Sequence, residues 1–371
     1  MPRLGLLALA CALLIAIGPA EAFKKKKKEE ETQTLQVPKD LPSAVAADTR
    51  RLVFHVTPLS GKGLLSQQVR DALKALFRQT GSANVVKVRA FVAGSGDVRR
   101  VRDIVSESFT SRNQPLPVLS VVQVGGLPLD GAQVVVESIA VAKKEVNEFG
   151  LVFISGQGAS SNNPLDPVLP LAEKALANVR TAVKAAGSDS ADVARVTCFL
   201  SSLDQSQQVR QLFAAEYPHA AFNYVQTQRA PAGAVAECEA VAKLRWNTGT
   251  PLHLLNPDGL PKSPNFTQIA MASSPRVVLT GTQTSFGYQD SDARLAFQRL
   301  DKVLEQFGTS LKRTAMLHLY PLSQSLADQV RRVRPEFVDQ AHPPAATMLA
   351  FEGLPSMDAG FAVDAIAVTE K

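Results

Sequence analysis

The stretch VVVESIAVAKK, residues 134–144, returns in altered form as AECEAVAKLRW at residues 236–246 and as AVDAIAVTEK at residues 362–371. The first is an apolar alternation with one acid, followed by a run of small apolar residues. Period-two alternation is the mark of a strand with two different faces. A strand that recurs at intervals of roughly a hundred residues marks repeated structural units.

Working outward from the middle copy, LVFISGQGA (residues 151–159) reads as a strand ending in a glycine turn. A Pro/Asn-rich loop follows, then LAEKALANVRTAVKAAG, in which Ala172, Leu176, Val179, Val183 and Ala186 recur at 4-3-4-3 spacing. That is an amphipathic helix stopped by Gly187. ARVTCFLSSL is a strand, QSQQVRQLFAAEYP a second helix ended by Pro218, and FNYVQTQ and AECEAVAKLRW are the last two strands.

The same order follows in the third copy, from RVVLTGTQ (276–283) through the helix ARLAFQRLDKVLEQFG to AVDAIAV (362–368). It is present in trimmed form in the first, from RLVFHVTPLSGKG (51–63) to AQVVVESIAVA (132–142). Each unit therefore predicts β-β-α-β-α-β-β, an α+β sheet with two helices on one face. The other sheet face is still apolar, and a single unit would leave it wet. Three units bury those faces against one another, which predicts an intramolecular trimer, monomeric in solution.

The expected boundaries are 50–146, 147–246 and 264–371 for the three units. The Pro/Gly-rich stretch 247–263 is expected to be a linker. Residues 1–22 pair a basic start and a short apolar run with Ala20-Glu21-Ala22, which reads as a cleaved signal peptide. The apolar run is short for a membrane span, so no transmembrane segment is expected after cleavage and the protein is expected to be exported, periplasmic or secreted. Residues 23–49, opening with the KKKKKEEE run, are expected to be a charged disordered tether.

In the middle unit, ISGQ, ALANVRTAVKAAG, DVARVTCFLSSLDQ and CEAVA stand in an order and spacing that resembles the Rid family of reactive-intermediate deaminases, also called the endoribonuclease L-PSP family. AFVAGSGDVRRVRDIVSESF with VESIAVA, and GTQ with DAIAV, extend the likeness to the first and third units. The resemblance implies a chorismate-mutase-like fold, usually assembled as a homotrimer with clefts between neighbouring subunits. It implies cofactor-free hydrolysis of enamines and imines to a keto acid and ammonia. An arginine before the penultimate strand would pair with the substrate carboxylate, as a guanidinium fork suits a carboxylate. An acid four positions later would position water.

At the arginine position this chain has Leu119, Phe222 and Ala346, and at the acidic position Gln123, Gln226 and Ala350. None of these can do the family chemistry, so the catalytic residues are left unassigned. The remaining ligand-binding candidates are the second-helix arginines Arg102, Arg210 and Arg331, and the turns at Ser155-Gly156 and Thr280-Gly281. Generic surface charge and tight glycine turns are the plain alternatives. In the family sheet the strands carrying Cys198 and Cys238 are neighbours, which allows a disulfide or two buried thiols.

The five histidines show no metal-ligand spacing, and no nucleophile elbow or phosphate-binding loop is present, so neither metal nor cofactor is expected. Aromatic residues make up 6% of the chain without a basic-aromatic platform, which gives no reason to expect nucleic-acid binding. Two functions follow as expectations. One is a binding or envelope scaffold protein for a small carboxylate-bearing metabolite, a pseudoenzyme. The other is an active deaminase that uses the second-helix arginines.

Overall fold

The computed structural model describes residues 38–370. The expectations for the signal segment and for the first part of the tether lie outside these residues. Along the chain, β1 (Ala44–Asp48) and β2 (Leu52–Val56) lead into α1 (Leu65–Thr80), β3 (Asn84–Ala93), α2 (Arg100–Thr110), β4 (Val118–Val124) and β5 (Val134–Val141). Then come β6 (Leu151–Ser161), α3 (Val168–Ala185), β7 (Val193–Leu200), α4 (Ser206–Glu216), β8 (Ala221–Gln226) and β9 (Ala234–Lys243). The last third holds β10 (Leu252–Leu255), β11 (Ile269–Ala272), β12 (Arg276–Thr280), β13 (Gln283–Phe286), α5 (Asp290–Glu305), β14 (Thr314–Pro321), α6 (Gln324–Val333), β15 (Ala345–Met348) and β16 (Ala359–Val368).

These strands form three mixed sheets. The first has order β2-β5-β3-β4, the second β10-β11-β6-β9-β7-β8, and the third β1-β12-β16-β14-β15 with β13 also on β16. Each carries its own helix pair, packed over the sheet through an apolar cluster. The recurring strand is the closing one of each sheet, and its register repeats. Arg89 lies opposite Glu137, Thr197 opposite Glu239, and His318 opposite Asp364. On the parallel side the same three residues face Ser120, Asn223 and Thr347.

The faces away from the helices meet each other. One shared cluster joins Ile139, Val241 and Ile366 at one end of the closing strands. A second joins Phe91, Phe199, Tyr320, Val135 and Ala362 at the other. Alternation along a strand places the inward-facing residues between these two layers, and there they are polar.

Four expectations are corrected. The tether was expected to run to residue 49, yet Ala44–Asp48 is a strand, paired antiparallel with β12 of the third sheet. Its apolar residues complete an edge that would otherwise leave backbone groups unpaired. The stretch 247–263 is more than a linker, since it contains β10. Ile269–Ala272, assigned above to the third unit, pairs instead with β6 of the second sheet. Finally, Ser155-Gly156 ends no strand: β6 runs through it with a register shift against β9 between Ile154 and Gln157, which is a bulge.

Candidate functional site

Positions 119, 222 and 346 have equivalent places in the three sheets, opposite Val88, Val196 and Leu317 respectively. Each lies near an intersheet cleft, and the three clefts differ.

Between the third and first sheets, a cavity of about 570 Å³ is lined by Arg102, Leu119, Gly281, Thr282 and Phe286 among others. The Gly281 N–H donates to Ser43 O at 2.9 Å and the Thr282 N–H to Leu119 O at 3.3 Å. A side chain on residue 281 would press on the Leu119 backbone. Arg102 is already engaged, its Nη2 lying 2.7 Å from Asp40 Oδ1 at the surface. Thr280 serves the framework: its hydroxyl accepts from Ala365 N–H at 2.9 Å and its carbonyl from Lys87 Nζ at 2.6 Å.

Between the first and second sheets, a cavity of about 670 Å³ brings Arg210 to Phe222. Arg210 makes no hydrogen bond or ion pair among the described residues, unlike the other two second-helix arginines. Arg331 pairs with Asp328 on its own helix and is not among the residues lining the three clefts.

The third cleft, between the second and third sheets, is filled by the chain itself. Ser155 Oγ donates to Thr267 O at 2.5 Å and accepts from Ala346 N–H at 2.9 Å. Ser155 N–H donates to Gln268 O at 3.0 Å, and Gln157 Nε2 to Gln268 Oε1 at 2.6 Å. Gln268 in turn donates to Pro261 O, and buried Arg334 donates to Asn265 O. Burial lowers the Arg334 guanidinium to about 10, helped by the nearby Arg331 charge. A space of about 260 Å³ remains, lined by Gly156, Gln157, Asn178, Glu237 and Lys262. A Cβ on Gly156 would stand 2.0 Å from Glu237 Oε1, so this position needs glycine for the close approach of the acid.

Glu237 escaped the sequence reading. It accepts no hydrogen bond among the described residues, and burial, with the like charge of Glu239, pushes its carboxyl up to about 8. A carboxyl so placed holds its proton at neutral pH and can exchange it there. The corresponding positions in the other sheets are Val135 and Ala362, which cannot. Gln123 and Gln226, at the expected acid position, tie down backbone instead. Their Nε2 atoms donate to Gly94 O at 3.0 Å and Ser201 O at 2.9 Å.

The other feature missed is the polar layer at the centre. Arg89 donates to Glu137 Oε2 at 2.8 and 2.6 Å and to Glu239 Oε1 at 2.5 Å. Arg195 lies 3.6 Å from Glu137 and 3.5 Å from Glu239. Lys87 Nζ and His318 Nδ1 each lie 2.9 Å from Asp364 Oδ1, and Ser120 and Tyr320 donate to Asp364 Oδ2 at 2.7 and 3.1 Å. All are buried. Burial alone would raise the acids, but their hydrogen-bonded and charged partners win: Arg89 with the His318 ring holds Glu239 well below its ordinary range, and Lys87 with the His318 ring does so for Asp364. For Lys87 burial dominates and lowers it. The signal was present in the sequence as the acid in each copy of the recurring strand.

Cys198 and Cys238 lie directly opposite on β7 and β9 and are disulfide-bonded, with Cα atoms 4.1 Å apart. Among the described residues no helix is long and apolar enough to cross a membrane.

The sequence profile of the family described as Endoribonuclease L-PSP matches this chain twice, at residues 44–142 and 144–244. Among similar solved structures is a Rid-family protein of unknown function from Yersinia pestis, at 16% identity. The match covers 32% of this chain and 99% of that one, with TM-score 0.30. A member of the YjgF/YER057c/UK114 family from Mycobacterium tuberculosis matches at 15% identity over 32% and 99%, with TM-score 0.24. A putative endoribonuclease from Thermotoga maritima matches at 22% identity over 26% and 80%, also with TM-score 0.24. No curated protein matches. The two profile matches together take in more than half of the 371 residues, and on that ground the chain belongs to the endoribonuclease L-PSP, or Rid, family.

Proposed function

We propose that this protein is an exported, cofactor-free member of the family in which one polypeptide does the work of three subunits, and which binds a small carboxylate-bearing metabolite without the family's deaminase chemistry. The observation that carries this reading is the equivalent register of Leu119, Phe222 and Ala346. An apolar side chain stands in every cleft where the resemblance calls for the carboxylate-binding arginine. The Cys198–Cys238 disulfide supports export, since such bonds persist in oxidising compartments.

A second reading keeps the activity: Arg102 and Arg210 line the two open clefts and supply a cation by another route. One assay separates the two. Freshly generated 2-iminopropionate is offered to the purified protein, and to a variant carrying Leu119→Arg, Phe222→Arg and Ala346→Arg, while pyruvate and ammonia are followed. The binding reading expects no turnover above the spontaneous rate by the natural protein. Turnover that disappears in the Arg102→Gln, Arg210→Gln double variant would establish the second reading and end the first.

A further inference from the structure

The cavity between the first and second sheets differs from the other two clefts in chemistry as well as in size. Its 670 Å³ lies within the range of small-molecule sites, about 300–1,000 Å³. Arg210 is the only charged residue among those lining it, and no described carboxylate or hydroxyl engages the guanidinium. One wall is aromatic. Phe222 stacks on Phe213 with centroids 5.6 Å apart, and Tyr224 continues the wall at 5.3 Å from Phe222. Tyr217 also lines the cavity. Its hydroxyl is buried, so what it offers the cavity is ring surface. Tyr224 feels the Arg210 charge, which opposes the upward push of burial on its hydroxyl and places the two side chains within electrostatic reach.

We infer that this cavity is a binding site for a small aromatic carboxylate, with the ring against Phe222 and Tyr224 and the carboxylate on Arg210. This assignment rests on the reading of the open clefts as ligand sites and narrows it to one cleft and one ligand class. An aliphatic acid as small as acetate would leave the aromatic wall wet. A neutral aromatic would leave the cation unmatched. Phe222, which rules out the family's anchoring of a carboxylate at its own position, becomes part of the ring-binding surface.

The test is calorimetric titration of the full protein with phenylacetate, acetate and phenylacetamide. Phenylacetate is expected to bind at one site, with phenylacetamide weaker by about tenfold or more, the factor for one lost charge-assisted hydrogen bond, and acetate weaker by about as much through the lost ring contacts. Arg210→Gln is expected to weaken phenylacetate by a similar factor. This variant should keep the natural thermal midpoint, and Arg102→Gln should bind phenylacetate as the natural protein does. Phenylacetate binding that survives Arg210→Gln, or acetate binding equally well, overturns the assignment. If the anions instead bind in a manner abolished by Arg102→Gln, this assignment fails while the cleft reading stands. If none of the probes binds, the assignment is overturned, and the 2-iminopropionate assay judges the cleft reading separately.

Discussion

Glu237 and Glu239 stand two residues apart on β9, yet they are pushed in opposite directions. Glu239 meets Arg89, Arg195 and His318, which outweigh its burial, whereas Glu237 has burial and a like charge and no cation to offset them. The carboxyl of Glu237 therefore keeps its proton to about pH 8 in the folded protein, while the unfolded chain releases it near 4.5. A group raised in this way imposes no penalty below pH 4.5 and a full one above 8, because only the unfolded state gains by ionising in between. Glu237→Gln should thus leave stability at pH 4 unchanged and raise it at pH 9 by roughly 2–4 kcal/mol. Denaturant titrations at the two pH values check this, and equal effects at both would contradict it. Arg89 is the opposite case. Replacing it with methionine leaves Glu137 and Glu239 buried without their main partner and should cost about 3–5 kcal/mol, read from the denaturation midpoint. At this scale the sequence was partly legible. The acid of the recurring strand was visible, but that Arg89, Thr197 and His318 lie opposite three such acids depends on pairing across 40 residues or more.

The recurring strands and the helix pairs were readable from period and punctuation, because alternation and 3.6-residue spacing are local properties. What failed locally were the exchanged pieces. β1 looked like tether and β10 like linker, since short edge strands carry little periodic signal and owe their form to the neighbour that pairs with them. The segment from Asn256 to Gln268 illustrates the point, because Ser155, Gln157 and Arg334 hold it from outside in addition to the bonds among its own residues. Gln268→Ala removes the acceptor for Gln157 and the donor to Pro261, leaving buried amide groups unmatched. It should cost about 1–3 kcal/mol and speed amide exchange across residues 256–268. Unchanged exchange there would mean the segment is held by packing alone. The disulfide is the converse case: the resemblance offered it only as one of two alternatives, and the β7–β9 register decides for it.

For the whole molecule, the proposed threefold arrangement has a direct consequence in solution. Each sheet buries its inner face against the other two, which among the described residues leaves no equivalent sheet face open. Light scattering on the eluted protein should give the mass of one chain, and a stable trimer of chains would contradict the proposal. The sequence by itself determined the repeat, the α+β class of each unit, and the absence of arginine from the three positions where the resemblance calls for it, because these are properties of residue type and spacing. Tertiary structure alone decided which strands were traded between sheets, which cleft the chain fills with its own backbone, and which acid of β9 is left without an ion-pair partner. Those outcomes depend on which surfaces meet, and residues 40 to 277 apart in the chain meet only when hydrophobic closure of the three sheets brings their inner faces together.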